Sequence, residues 1–265
     1  MMRNRVLILG ATMVLLSALT PAFGQGQAYR APRGPDGHPD LNGIWQAMNT
    51  ANWDLEAHGA QESPIVEAGT LLAQPGGLSV VDGGTIPYLP AALAKKKENY
   101  QHRMDLDPEV RCYLPGVPRA TYMPYPFQIF QSEKYLAIAY EYDSAFRNIY
   151  LKDPGPAPVD SWMGQSYGHW EGETLVIDVT GLDERTWLDR SGNYHSDQLH
   201  VVERYTPVAP NILNYEATIE DAKVFSKPWK ISMPLYRHVE KNAQLLEFKC
   251  VEFVEELMYG KYRKK

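Results

Sequence analysis

Cysteine is scarce in this chain of 265 residues: only Cys112 and Cys250 occur. Basic clusters are equally few. Lys95-Lys96-Lys97 and the terminal Lys261 to Lys265 stand alone against a formal net charge of −6. That balance argues against nucleic acid and anionic membrane surfaces as partners. Chemistry-bearing motifs are missing too. There is no G-x-S-x-G elbow, H-E-x-x-H, C-x-x-C-H, P-loop or dinucleotide fingerprint, so haem, nicotinamide and ATP chemistry find no support. Gly164-Gln165-Ser166-Tyr167-Gly168 matches the G-x-S-x-G spacing but lacks the strand–nucleophile–helix setting of an elbow. The spacing shows no internal repeat.

Long apolar runs are limited to Val6–Leu19, preceded by Arg3 and Arg5 and followed by Thr20-Pro21-Ala22-Phe23-Gly24. The run is short of the roughly 20 residues a span requires and ends in Pro and Gly. Residues 1–24 therefore read as a cleaved signal peptide, with a membrane anchor as the alternative. The expected compartment is periplasmic or extracellular, with no membrane attachment after cleavage. Loss of Arg3 and Arg5 would take the net charge to −8. In an oxidising compartment two cysteines pair, so a Cys112–Cys250 disulfide is expected; a reactive thiol beside Arg111 is the alternative.

What the chain has in quantity is aromatic residues, with 17 Tyr and 6 Trp. Such rings favour strands and also line pockets for apolar ligands. Residues 25–126 read as an N-terminal arm, loops and one short helix over Ala91–Arg103, packed on a β core at 127–256. Residues 257–265 form a basic tail. About nine short strands joined by tight turns indicate an antiparallel meander. They begin with Phe127–Phe130 and end with Trp229–Tyr236 and Leu245–Glu252; Leu41–Gln46 reads as a further short strand within the N-terminal region. Leu213, Tyr215, Ala217 and Ile219 alternate with Asn214, Glu216 and Thr218, as in a barrel wall. Pro234 marks an edge or a bulge. The fold expected is mainly β, an up-and-down antiparallel barrel of lipocalin type, with a β-sandwich as runner-up.

The densest chemistry lies in Asp189–Arg204, a polar loop to Gln198 followed by a strand from Leu199. His195, with an ordinary pKa near ~6.5, is a candidate proton carrier. Asp197 would orient it, and Arg190 would stabilise an anion. On the strand, either Glu203 or His200 faces the interior, because neighbouring residues point to opposite faces. That alternation also weakens a transition-metal site built from His195, His200 and Glu203, and cofactor-free chemistry is the expectation. Tyr122, Tyr125, Arg119, Trp170 and His169 are candidate substrate-binding residues.

The segments Asp107-Pro108-Glu109-Val110-Arg111-Cys112-Tyr113-Leu114-Pro115-Gly116-Val117-Pro118-Arg119, Gly168–Asp178, Thr186-Trp187-Leu188-Asp189 and His195-Ser196-Asp197 resemble a large group of uncharacterised exported bacterial proteins. The resemblance covers most of the chain after residue 24. It implies an exported β-rich domain and no particular reaction. His169 departs from the group, where Arg is common, which weighs against a shared catalytic role for it.

The function expected is acid–base catalysis on a small hydrophobic or aromatic molecule by an exported lyase, isomerase or hydrolase. A non-catalytic binding protein of lipocalin type is the alternative, a metal-dependent enzyme the second alternative, and an envelope structural protein a further one.

Overall fold

The computed structural model describes residues 29–62, 73–259 and 261. The proposed signal peptide and much of the basic tail lie outside them. Nine strands close into a barrel in chain order. They are β1 (Gly43–Ala47), β2 (Phe127–Gln131), β3 (Leu136–Tyr140), β4 (Phe146–Tyr150), β5 (Gln165–Glu171), β6 (Thr174–Thr180), β7 (His200–Ala209), β8 (Ile212–Glu220) and β9 (Trp229–Arg237). One helix, α1, spans Pro90–Gln101 with proline in its first turn, where a missing N–H costs nothing. Three further helical pieces, Arg103–Leu106, Arg119–Tyr122 and Val254–Tyr259, are four to six residues long.

Two details differ from the expected meander. First, β4 and β5 pair in parallel, with Ile149 opposite Ser166 and Tyr150 opposite Tyr167. Hairpins join antiparallel strands, whereas a parallel neighbour needs a crossover of a dozen or more residues. The Pro-rich stretch 151–164 supplies one. Second, Leu245–Glu252 is not a strand. Barrel closure explains why. β1 pairs antiparallel with both β2 and β9, so no sheet edge remains to accept another strand. The wall thus takes one strand from residues 43–47 and is complete at Arg237.

Pro234 sits mid-strand in β9, opposite Asn214 of β8. It is tolerated because the β1 ladder ends one residue earlier, at Ala47 opposite Leu235. Beyond it, Ser232 N donates to Val80 O, so a loop segment takes over that side of β9.

Side chains fill the barrel. Val201, Glu203 and Tyr205 of β7 point inward with Tyr215, Ala217 and Ile219 of β8 and Ile231 and Met233 of β9, all buried. Gly168 lets β5 approach β4: a Cβ there would lie 2.6 Å from Ile149 Cγ2. A charged pair crosses the interior. Arg147 Nη2 donates to Glu203 Oε2 at 2.6 Å, and Tyr205 and Tyr215 donate to Oε1 at 3.0 and 2.8 Å. The guanidinium also donates to Ser166 Oγ at 2.9 Å and to Tyr140 Oη at 3.0 Å. The side chains of Arg147 and Glu203 are 1% and 0% exposed, so each supplies the counter-charge that the other has lost with water.

Removing one partner strands a buried charge. Arg147→Met should lower unfolding free energy by about 3–5 kcal/mol. The double variant Arg147→Met/Glu203→Leu should lose less than the sum of the two single variants. Urea titrations of the four proteins measure that coupling; strict additivity would contradict it.

Candidate functional site

The loops at one mouth of the barrel carry a second charge cluster. Asp107 caps the short turn after it, accepting from Glu109 N at 3.0 Å. The next turn returns the chain through Gly116 to the helical piece that carries Arg119. That guanidinium grips Asp107 with two bonds of 2.8 and 3.0 Å. It also reaches Glu109 Oε2 at 2.7 Å and Asn52 Oδ1 at 2.9 Å. Arg190 approaches Glu109 from the other side, with Nε and Nη2 on its two oxygens at 2.7 and 2.6 Å. The Arg190 guanidinium stacks on Trp53, 4.6 Å from the ring centre.

Glu109 is therefore clamped between two arginines. Burial pushes its carboxyl up, but Arg190 first and Arg119 second outweigh burial and hold it at about 2. Arg119 moves the opposite way. Burial alone would lower it, and Asp107 and Glu109 raise it instead.

Glu109 and Arg190 form the polar side of a cleft of about 310 Å³. Its apolar side is a triad of rings: Tyr125 and Tyr142 lie 5.6 Å apart, and Phe248 sits 5.0 Å and 4.9 Å from them. Tyr142 also donates to Glu109 O at 3.4 Å. Burial raises the phenols of both tyrosines. Phe248 comes from the segment expected as a last strand. That segment is instead tied down as the cleft's outer wall. The Cys112–Cys250 disulfide spans 5.6 Å between Cα atoms and closes 138 residues. Leu246 N donates to Glu141 and Phe253 N to Val110 O. The disulfide is compatible with an exported protein. Among the described residues, no helix is long and apolar enough to cross a membrane.

The proposed catalytic residues do not converge. His195 is enclosed, with Nδ1 2.8 Å from Ser196 O and Nε2 2.5 Å from Thr186 Oγ1. A carbonyl can only accept, so Nδ1 carries the ring proton. Burial lowers the pKa of His195, which favours the neutral ring. Asp197 is exposed and pairs with Lys223 at 2.6 Å, not with His195. Arg190 is at the cleft. Glu203 faces the barrel interior, and His200 lies on the outer wall beside Asp178 and Glu220 at 3.2 and 3.4 Å. His195 and His200 thus have separate partners. Among the described residues no group of three or more His, Cys, Asp or Glu side chains is placed to hold a metal.

Of the proposed binding residues, Tyr125 lines the cleft and Arg119 stands directly behind Glu109. Tyr122 is buried, donating to Leu188 O at 2.7 Å. Trp170 stacks on His38, with ring centres 4.7 Å apart. His169 is on the outer wall near Glu171. Glu109, Tyr142 and Phe248 line the cleft without having been among the expected site residues. Glu109 stood in the Asp107–Arg119 segment, ten residues before an arginine that needed a counter-charge.

Behind Arg190, Asp189 accepts from Leu55 N at 2.9 Å, Ser191 N at 2.9 Å and Asn193 Nδ2 at 2.6 Å. Burial and the nearby Asp54 carboxylate push it up to about 7 against those donors. No family model, curated protein or solved structure matches the chain.

Two outcomes are expected. A glutamate in the unfolded chain takes up its proton near 4.5, but native Glu109 holds its charge down to about 2. Glu109 therefore stabilises the fold above pH 4.5 by on the order of 3 kcal/mol, and that contribution is lost as pH falls toward 2. Asp189 has the opposite sign, so its native-state proton favours folding at low pH and that benefit fades as pH rises from 3.8 to about 7. In Glu109→Gln the acid slope should flatten while the slope between pH 4 and 7 survives; denaturant titrations across pH measure both. Separately, Cys112→Ser/Cys250→Ser should lose up to about 5 kcal/mol, the entropy of so long a loop, in calorimetry. An unchanged transition would mean the bridge constrains nothing.

Proposed function

We propose that this protein is an exported binding protein for a small aromatic molecule, which seats in the cleft against the wall formed by Tyr125, Tyr142 and Phe248. The ring triad facing a Glu109–Arg190 pair carries this reading. Three rings offer stacking and edge contacts to a planar ligand. A few fixed polar groups on one side would set its orientation. The volume suits a single small molecule at the lower end of ligand pockets.

The expected acid–base enzyme draws less support from the same geometry. A general acid or base works best with a pKa near the working pH. At the cleft, Glu109 is held near 2 and the tyrosines are raised, so none is poised at neutrality. Asp189, at about 7, is the one observation in favour of proton chemistry, since it adjoins Arg190 in the chain. It is fully buried behind that residue. The ligand site is also displaced from the lipocalin expectation. It lies at the barrel mouth under a disulfide-tied strap, while the Arg147–Glu203 network occupies the interior. No cofactor is needed for this reading.

The test is calorimetric titration of the purified protein with a panel of small phenols, aromatic amines and aromatic carboxylates, with mass spectrometry of each mixture. At least one compound should bind saturably, and at 100 times its Kd should add about 2.7 kcal/mol to stability. Phe248→Ala should weaken binding about tenfold or more. Absence of binding across the panel, or binding indifferent to Phe248→Ala, would overturn the proposal. Conversion of a bound compound would restore the enzyme reading.

A further inference from the structure

The other mouth of the barrel is plugged by residues 29–42, and an arginine there is unlike the rest. Arg147 and Arg119 are buried against Glu203 and against Asp107 and Glu109. Arg190, less buried, presents its Nε–Nη2 edge to both oxygens of Glu109. Arg237, at the end of β9, has no such partner among the described residues. Its Nη1 donates to Asn42 O at 2.6 Å, and its Nη2 makes a long contact of 3.4 Å with Asp40 O. Its Nε is buried and finds no acceptor. The edge that grips a carboxylate on Arg190 is thus, on Arg237, left with one long contact to a carbonyl.

The setting is built rather than incidental. Arg237 stacks over Trp45, 4.4 Å from the ring centre. Trp45 is itself fixed by donating its indole N–H to Leu41 O at 2.9 Å. Gly43, at φ +140°, makes room: a Cβ there would stand 2.9 Å from Arg237 Nη1. A pocket of about 170 Å³ opens beside the guanidinium, walled by Trp45, Pro207, Pro210, Leu213 and Tyr29. The β7–β8 ladder slips register between Pro207 and Ala209 at its wall. Such bulges re-aim strands at barrel rims and beside sites. Asp40 also borders the pocket, but its Oδ1 is engaged by Asn42 N and Nδ2 at 3.0 and 2.9 Å, and it makes no ion pair with Arg237. Burial pushes the Arg237 pKa down, with Asp40 opposing. A guanidinium in that position gains most from a ligand that brings a full negative charge.

We propose that this pocket binds a small monocarboxylate, its carboxylate at the Arg237 guanidinium on the side of the loosely held Nη2 and its apolar body against Tyr29, Pro207 and Pro210. The volume equals that of about five or six waters at ~30 Å³ each, which admits a short-chain acid. The site is independent of the aromatic cleft, which lies at the opposite mouth.

Butyrate is a suitable probe, and butyramide is its uncharged isostere; neither has a ring to occupy the aromatic cleft. Proton–nitrogen spectra of the labelled full chain report the Arg237 Nε–H and the Trp45 indole N–H directly. Butyrate should shift both saturably, and butyramide should bind at least about tenfold more weakly. Arg237→Lys, which keeps the charge and loses the fork, should abolish the Trp45 shift. The wild-type comparison stands even if that variant unfolds. No shift with butyrate, equal shifts with butyramide, or an undiminished Trp45 shift in a folded Arg237→Lys would each overturn the proposal.

Discussion

A guanidinium cannot be taken out of water without a counter-charge or a full set of acceptors, and this chain buries Arg119 and Arg147 almost completely. The architecture follows from how each is answered. Arg147 leaves β4 and meets Glu203 from β7, with Tyr205 and Tyr215 completing the carboxylate. That bond ties strands that are not neighbours in the sheet and leaves the interior occupied. Arg119 answers Asp107 and Glu109 and so folds the irregular loops down on one mouth. Buried ion pairs of this kind add little net stability over apolar packing, but they punish misplacement, because any other arrangement strands a charge.

Closure of the barrel is the second constraint, and it reaches the functional surface. β1 takes its place between β9 and β2, so the chain after Arg237 has no ladder to join. The apolar residues of 245–254 must then find another use. Phe248 finds it against Tyr125 and Tyr142, and the disulfide holds the segment there. The cleft wall is therefore a consequence of a sheet with no vacancy.

This division also explains what could be read in the sequence. The alternation in β7 to β9 was legible because each strand has one apolar face. The pairing of the two cysteines was legible from their number. Which face of β7 turns inward was not, since Val201, Glu203 and Tyr205 make as plausible an inner row as His200, Val202 and Arg204. The choice is made by Arg147, more than fifty residues away, and no local pattern encodes it. The same non-locality separated His195 from Asp197. They are two residues apart, yet Asp197 goes to Lys223 and His195 to Thr186. Leu245–Glu252 looked like a strand because apolar residues were present, and periodicity alone cannot tell a ladder from a pocket wall.

Electrostatic settlement finally bears on what the cleft can do. Glu109 is clamped by two arginines, and such a carboxylate neither takes nor gives a proton at neutral pH. The pair offers a fixed dipole: an acceptor already engaged and a guanidinium face held flat by Trp53. Fixed dipoles orient a ligand at little reorganisation cost, which serves recognition. Proton transfer instead asks for a group whose two charge states are nearly balanced. Asp189 is the residue nearest that balance, and it is sealed behind the loop by bonds from Leu55, Ser191 and Asn193. A ligand in the cleft would meet charges that are already settled, and that arrangement fits holding a molecule better than transforming one.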